Sequence, residues 1–415
     1  MMRVHAAPSG SSWTGVMQFA HGWPMDTACL RTARLLGLAP YVQTGSKLTQ
    51  PGWLRWYSIG VTITSSLGAV LFLLLDGVVM IQSPAREYLS MAEVLVTLGY
   101  GFMAGGVILS RYFIIRRQYP HLQQVLLHPV VLGEAKRTPS KGALLVLYPD
   151  LARTIAFIVL VPIICAAMLL DAWYGVFSVL LAVEKVLESA ELSLFLFLLD
   201  TLASDFKRLN GEITFLKQRK ESQKDISEVV LQIRKAHLKT TECLEDVCEC
   251  FGPQVSSVLF NMCALVVGLL AVSMTIAERM ATYVNTSNRP FLIYAFFALT
   301  AGQVPIYIFS IIRSLNTADN VTAEGNRAMT VAHSLASVCR LTSKETEQVE
   351  IFTTQLSQRA AAVRLCRVVT LDLSLALSGL GSVANFFVLI LQMREVKLES
   401  KSHETEVFSN SSRSP

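Results

Sequence analysis

Seven long apolar segments, separated by polar and basic stretches, set the rhythm of the chain: Tyr57–Ile81, Ala92–Ile115, Ala152–Leu170, Val176–Leu202, Val255–Ala281, Phe291–Arg313 and Val368–Met393. Each is close to the ~20 residues a helix needs to cross the hydrocarbon core of a bilayer. Backbone polar groups find no water there, so a single segment satisfies them only by closing its own helical hydrogen bonds. The pattern predicts an all-α, polytopic membrane protein with seven transmembrane helices. The fourth segment is the weakest, because Glu184, Lys185, Glu188 and Glu191 interrupt it. If it fails, six spans remain and both termini share a side.

The polar stretches carry a periodicity of their own. After the fourth span, Leu202, Phe206, Leu209, Ile213 and Leu216 recur at spacings of 4, 3, 4 and 3. This is a helical seam. A second seam, Ile226, Val230, Ile233, His237, Thr240, Leu244, Val247 and Phe251, feeds the fifth span. A third, Val349, Phe352, Leu356, Ala360 and Val363, precedes the seventh. Three membrane helices are therefore expected to extend beyond the bilayer, each with one apolar stripe that must pack on a partner. A bundle between these extensions, within or between subunits, supplies it.

Composition narrows the class. Of 415 residues, 52% are hydrophobic and 16% charged, and the mean hydropathy is +0.46; soluble domains carry about 25% charged residues. A soluble globular enzyme, a disordered chain and a small disulfide scaffold are excluded. The net charge of +5 matters less than where the basic residues lie. Arg3, Arg31, Arg34, Lys47 and Arg55 precede span one; Arg116, Arg117, Lys136, Arg137 and Lys141 follow span two. Nine Lys and Arg between Lys207 and Lys239 follow span four, and Arg327, Arg340, Lys344, Arg359 and Arg364 follow span six. The alternate loops are nearly bare of positive charge. Basic flanks stay inside, so the N-terminus is cytoplasmic and, with seven spans, the C-terminus is outside. No cleavable leader is legible in residues 1–50. The eight cysteines avoid the outer loops, which argues against a disulfide framework. Two sequons, Asn285-Thr-Ser and Asn410-Ser-Ser, fall outside, with Asn285 the glycosylation candidate; Asn320-Val-Thr falls inside and should stay bare.

The chain thus divides into a cytoplasmic segment 1–56, helices one to four at 57–202, a cytoplasmic helical extension 203–254, and helices five and six at 255–313. A cytoplasmic helical region 314–367, the seventh helix 368–393 and an extracellular tail 394–415 complete it.

Three groups of polar residues invite a chemical reading. His237 could join Cys243, Cys248 and Cys250 at a metal, or simply be a packed helix residue; the spacing fits no zinc pattern, and no metal or other cofactor is expected. Glu184 and Glu188 are four apart, and Glu191 is three further on. Carboxylates inside a membrane usually line a cavity or pathway, so a polar ligand pocket, a proton path, or a late-starting span whose carboxylates touch outer water are all open. In the last segment Ser374, Ser378, Ser382, Asn385 and Gln392 fall within an arc of roughly 80° at about 100° per residue, with Gly381 on the same face and Asp372 pointing away. Such a stripe suits a water-lined wall built from symmetric copies, or ordinary small-residue helix packing.

These residues resemble the insect gustatory receptors, of the seven-transmembrane insect chemoreceptor superfamily. Their last span carries Thr-Tyr, five hydrophobic residues and Gln-Phe. Here Asn385 and Phe386 stand at the first pair and Gln392 and Met393 at the second, with the five hydrophobics intact. Leu35-Leu-Gly-Leu-Ala-Pro40 is similar to the family's N-terminal Leu-Gly-x-x-Pro, and Phe206-Lys-Arg-Leu-Asn210 to its Arg-Phe-x-x-Leu-Asn at the end of span four. The stretch from His237 to Phe251-Gly252 is similar to the one leading into span five, with Cys248 where Asn is usual. The likeness covers about residues 28–393.

The resemblance implies a ligand-gated, non-selective cation channel of the plasma membrane, not an enzyme. It implies a tetramer around a central pore, homomeric or mixed with related subunits. Small-molecule tastants and permeant cations would be its partners, and nucleic acid would not. The seventh helix would line the pore through Ser374, Ser378, Ser382, Asn385 and Gln392, with Gln392 and Met393 at the gate. Tastants would bind among Tyr100, Met168, Trp173, Phe177, Glu184, Glu188, Met274, Tyr294 and Phe297. Sugar-sensing members carry Glu directly after Thr-Tyr, where this chain has Phe387, which points to bitter or other non-sugar ligands. A G-protein-coupled receptor would need the opposite orientation, and neither Asp-Arg-Tyr nor Asn-Pro-x-x-Tyr is present where it should be. A transporter working through the span-four carboxylates would often show an inverted repeat, and none is legible. Residues 1–25 and the tail beyond Met393 depart from the family and read as solvated extensions.

Overall fold

The computed structural model describes residues 42–44, 47–49, 172–218, 226–286 and 290–338, and parts of 51–67 and 342–392. Spans two and three, most of span one, residues 1–25, Tyr100, Met168, Met393 and the tail lie outside the described residues.

A short antiparallel hairpin comes first, β1 (Val42–Thr44) paired with β2 (Lys47–Thr49). A helical stretch at 52–61 follows, opened by Pro51, whose carbonyl accepts from the Leu54 and Arg55 N–H groups at 3.1 Å each. Leu54 and Ser58 are buried, whereas Trp53, Trp56 and Tyr57 are exposed. Aromatics at the head of a membrane span suit the headgroup layer, where an apolar ring and a polar edge are both accommodated.

Four helices dominate the rest: α1 (Ala172–Gln218), α2 (Ile226–Thr286), α3 (Pro290–Val338) and α4 (Ser343–Gln358). The first three are far longer than a bilayer requires. α1 carries span four and the first seam without interruption, and α2 carries the second seam and span five. α3 also continues well past Arg313. The buried face of that fourth extension mixes small and large residues, with Ala318, Ala328 and Ala332 set among Leu315, Val321 and Leu335, all at most 2% exposed. Within α2, the stretch Ser227–Val267 contains a window of mean hydropathy 1.6, long and apolar enough to cross a membrane.

The seams bury as the spacing requires. Leu202 and Phe206 of α1 share a core with Leu244 and Val247 of α2, Ile213 shares one with Val230 and Ile233, and Leu209 is buried as well. One core runs along α1, α2 and α3 into the segment after α4, and a second joins Ile213, Val230, Ala328, Val349 and Phe352 at the far end.

The third seam is helical only as far as Leu356. α4 starts with a complete capping box, in which the Thr342 hydroxyl accepts from the Glu345 N–H and the Glu345 carboxylate accepts from the Thr342 N–H. It stops at Arg359. Ala360 is exposed, and burial then alternates, with Ala361, Val363 and Leu365 buried. That is a strand's period of two. β3 (Arg364–Leu365) turns back on β4 (Val369–Thr370). The final helix therefore begins at Leu373, not at Val368. Val363 meets the periodic expectation only because its burial is reached by extended backbone.

Candidate functional sites

The Leu373 helix owes its start to Asp372. One carboxylate oxygen accepts from the Leu375 N–H at 2.9 Å, an N-cap bond, and from the Ser374 hydroxyl at 2.6 Å. Asp372 thus does not point away from the polar stripe; its side chain holds the stripe's first residue. Ser374, Ser378, Ser382, Asn385 and Gln392 are all exposed, and Ser382 donates back to the Ser378 carbonyl at 3.0 Å. The apolar residues Leu373, Leu375, Leu377, Leu380, Val388 and Leu389 are exposed as well. The described residues of this helix thus present both polar and apolar side chains at the surface of the chain.

The span-four carboxylates behave differently. α1 begins at Ala172, and Glu188 and Glu191 are 3% and 4% exposed. The reading in which they meet water at a late-starting span fails, because both lie within the helical bundle. Asn261 of α2 donates its Nδ2 to Glu188 Oε1 at 3.0 Å, and its own Oδ1 is buried with no hydrogen-bond partner among the described residues. Asn261 is the polar residue that sequence reasoning missed, although it stands alone in an apolar run. Of the other ligand candidates, Trp173, Phe177 and Glu184 ride on the first half of α1 and Phe297 on α3. Met274 is half-buried on α2, Tyr294 is half exposed near the start of α3, and Asn285 lies in the last turn of α2. A groove of about 430 Å³ lies elsewhere, along the outer face of α4, lined by Glu347, Glu350, Ile351, Thr354, Gln355 and Gln358. No ligand candidate lines it.

At the far end of the bundle, His237 joins four helices. Its ring lies between Phe206 of α1 and Phe352 of α4, with centroids 5.0 and 5.9 Å away. Nε2 is 3.1 Å from the Gly325 carbonyl of α3, so this nitrogen carries the proton and donates. Burial pushes the imidazole below its ordinary value, opposed by the Gly325 bond and the charge of Asp205. Asp205 is shared between the Thr240 hydroxyl at 2.8 Å and Arg208 at 2.6 Å. Gly325 is required by the packing: a Cβ there would sit 2.5 Å from that of Ala361 and 3.5 Å from the Phe206 ring. Asn210 of α1 donates to the neighbouring Glu324 carbonyl at 2.8 Å.

The Nε2 of His237 is committed to a carbonyl, and among the described residues no three His, Cys, Asp or Glu side chains group as a metal site requires. The thiols of Cys243, Cys248 and Cys250 are each pushed up to about 12, chiefly by burial. His237 is a junction residue and the cysteines are core residues.

Comparison with known proteins places these features. The family model described as 7tm Chemosensory receptor matches residues 28–396. No curated protein matches the chain by sequence. Among solved structures, the olfactory receptor OR5 of Machilis hrabei, in complex with eugenol, superposes with a TM-score of 0.64. The alignment covers 92% of this chain and 99% of that one at 12% identity. At that identity the likeness is one of fold.

Proposed function

The chain belongs to the seven-transmembrane chemosensory receptor family of insects, and from that premise we propose that it is a gustatory receptor working as a ligand-gated, non-selective cation channel. As a family member it is a multi-pass receptor of the plasma membrane and not an enzyme. Small tastants outside the sugar class open the channel, and four subunits, identical or related, surround one pore. The N-terminus is cytoplasmic and the C-terminus extracellular.

One observation carries the reading. The Leu373 helix is apolar on most of its surface, bears one polar stripe, and is exposed within its own subunit. Exposed apolar surface of this extent calls for neighbours. A single helix cannot enclose water, whereas a closed ring of symmetric copies turns one stripe inward. Ser374, Ser378, Ser382 and Asn385 then form the wall, with Gln392 and Met393 at the gate. Met is apolar and flexible, which suits a constriction that closes by dewetting. The motifs at Leu35–Pro40 and Phe206–Asn210, similar to those of gustatory receptors, support the gustatory reading. The ligand region remains the outer half of the bundle, with Glu188 and Asn261 as its inner polar boundary.

Thiol accessibility in intact cells tests this. A tastant panel first identifies an agonist. Ser378→Cys, Ser382→Cys and Asn385→Cys should then let a charged methanethiosulfonate block agonist-evoked current. Leu373→Cys and Leu380→Cys, on the far side of the helix, should not. Block at every position, or only at the leucine positions, would remove the helix from the pore.

A further inference from the structure

Between α4 and the Leu373 helix the chain forms a strap, residues 359–371, that lies on α2. α2 presents Glu242, Glu245 and Glu249 at spacings of three and four, one helical face. Arg359, at the strap's start, bridges Glu242 at 3.2 Å and Glu245 at 3.0 Å. Arg367, in its turn, meets Glu249 at 3.1 Å. Val363 and Leu365 are buried between these anchors and Leu371 just beyond them, and the Leu371 N–H donates to the Val363 carbonyl at 2.9 Å. The turn presses on α2 so closely that a Cβ on Gly252 would lie 2.8 Å from the Cys366 nitrogen.

The turn itself is strained. A three-residue connection, Cys366 to Val368, joins β3 to β4, and its turn is closed by the Val368 N–H donating to the Leu365 carbonyl at 3.1 Å. Cys366 and Arg367 have positive φ, 52° and 62°. Hairpin turns of this kind favour Asn-Gly, because a Cβ is crowded in the left-handed region. Exposed ion pairs stabilise only modestly, and Arg367 is 82% exposed. Modest attraction thus works against local strain, at the one segment whose end fixes Asp372 and the start of the Leu373 helix.

We propose that Arg359 and Arg367, with Glu242, Glu245 and Glu249, are positioning residues for gating: they clasp the strap to α2, and docking or release of the strap sets the angle at which the pore helix leaves the cytoplasmic bundle. This rests on the channel reading. Glu249→Gln loosens the clasp. Cys366→Gly relieves the turn and tightens it. The two substitutions therefore act in opposite directions on one equilibrium, which a merely structural role for either residue does not require.

The experiment uses the full-length receptor with two readouts. Trypsin on permeabilised membranes, with fragments mapped by mass spectrometry, reports strap release through cleavage after Arg364 and Arg367. Conductance in sodium solution without ligand reports gating. Glu249→Gln should speed cleavage about two- to five-fold and Cys366→Gly should slow it, the range an exposed ion pair allows. Basal conductance should shift by similar factors, with opposite signs in the two variants. The charge-swapped Glu249→Arg/Arg367→Glu receptor, cleaved after Arg364 alone, should return toward wild type in both. Unchanged cleavage overturns the clasp. Altered cleavage with unaltered conductance, in a receptor that responds to tastants, overturns its link to gating. A wild-type receptor at the surface that conducts under no condition overturns the channel reading and the gating half of the proposal, and cleavage still decides docking.

Discussion

Asn326 holds the peptide group of Ala361 from both sides: its Nδ2 donates to the Ala361 carbonyl and its Oδ1 accepts from the Ala361 N–H, each at 3.0 Å. A side-chain amide here replaces the backbone partner that helix or sheet would supply. This is why the chain can leave α4 and run extended through the core without stranding buried polar groups.

Asn326→Ala should remove both bonds and leave the Ala361 peptide under-satisfied, at about 1–3 kcal/mol. The expected result is a lower melting midpoint of the detergent-solubilised receptor, followed by size-exclusion chromatography, and less receptor at the cell surface. Asn326→Asp keeps the acceptor and loses the donor, and should fall between Asn326→Ala and wild type. A midpoint unchanged in both would contradict the assignment.

Gly325→Ala places a methyl group 2.5 Å from the Ala361 Cβ. The helix would welcome alanine, but α3 and the strap must part to admit it. Overpacking of this kind costs about 1–3 kcal/mol. Pairing it with Ala361→Gly frees the contested space and should recover most of the loss, as thermal stability of the single and double variants will show.

His237 makes the junction sensitive to acid. Burial lowers its folded-state pKa below the ordinary 6.5, so the unfolded chain takes up a proton first as pH falls. The stabilising contribution is complete above about 6.5 and drains as pH drops toward the lower folded value, at up to about 1.4 kcal/mol per pH unit. His237→Gln, whose amide can still donate to Gly325, should flatten that slope between pH 7.5 and 5.5. A slope as steep in the variant as in wild type would assign the acid sensitivity elsewhere.

Glu188 and Asn261 tie α1 to α2 inside the bundle. Glu188→Leu strands the buried Asn261 amide and should cost about 1–3 kcal/mol, read as loss of surface receptor by biotinylation. Glu188→Gln keeps an acceptor for Asn261 and should reach the surface normally. The agonist response of that second variant separates the roles: a shifted half-activating concentration marks ligand contact, and an unshifted one marks a tie between helices alone.

The seams beyond the apolar spans were legible because burial on a helix follows a local period. Phe206, Leu209 and Ile213 on α1, Val230 and Ile233 on α2, and Phe352 and Leu356 on α4 are buried where spacing demanded. The family, too, could be read from short motifs whose order along the chain survives even where single residues have changed, as Met393 has.

What the sequence by itself determined, then, is the long helices among the described residues, their continuation beyond the apolar spans and the family the chain belongs to. Those properties depend on neighbours within one turn or one span. Tertiary structure alone decided where the third seam breaks, why Gly325 must be glycine, and that Glu188 is buried against Asn261. Each of these rests on partners remote in the chain, 35 residues apart for Asn326 and Ala361, 73 for Glu188 and Asn261, 88 for His237 and Gly325. Periodicity within a helix carries no information about which distant backbone will press against it, and that contact fixes the strap and the start of the last helix.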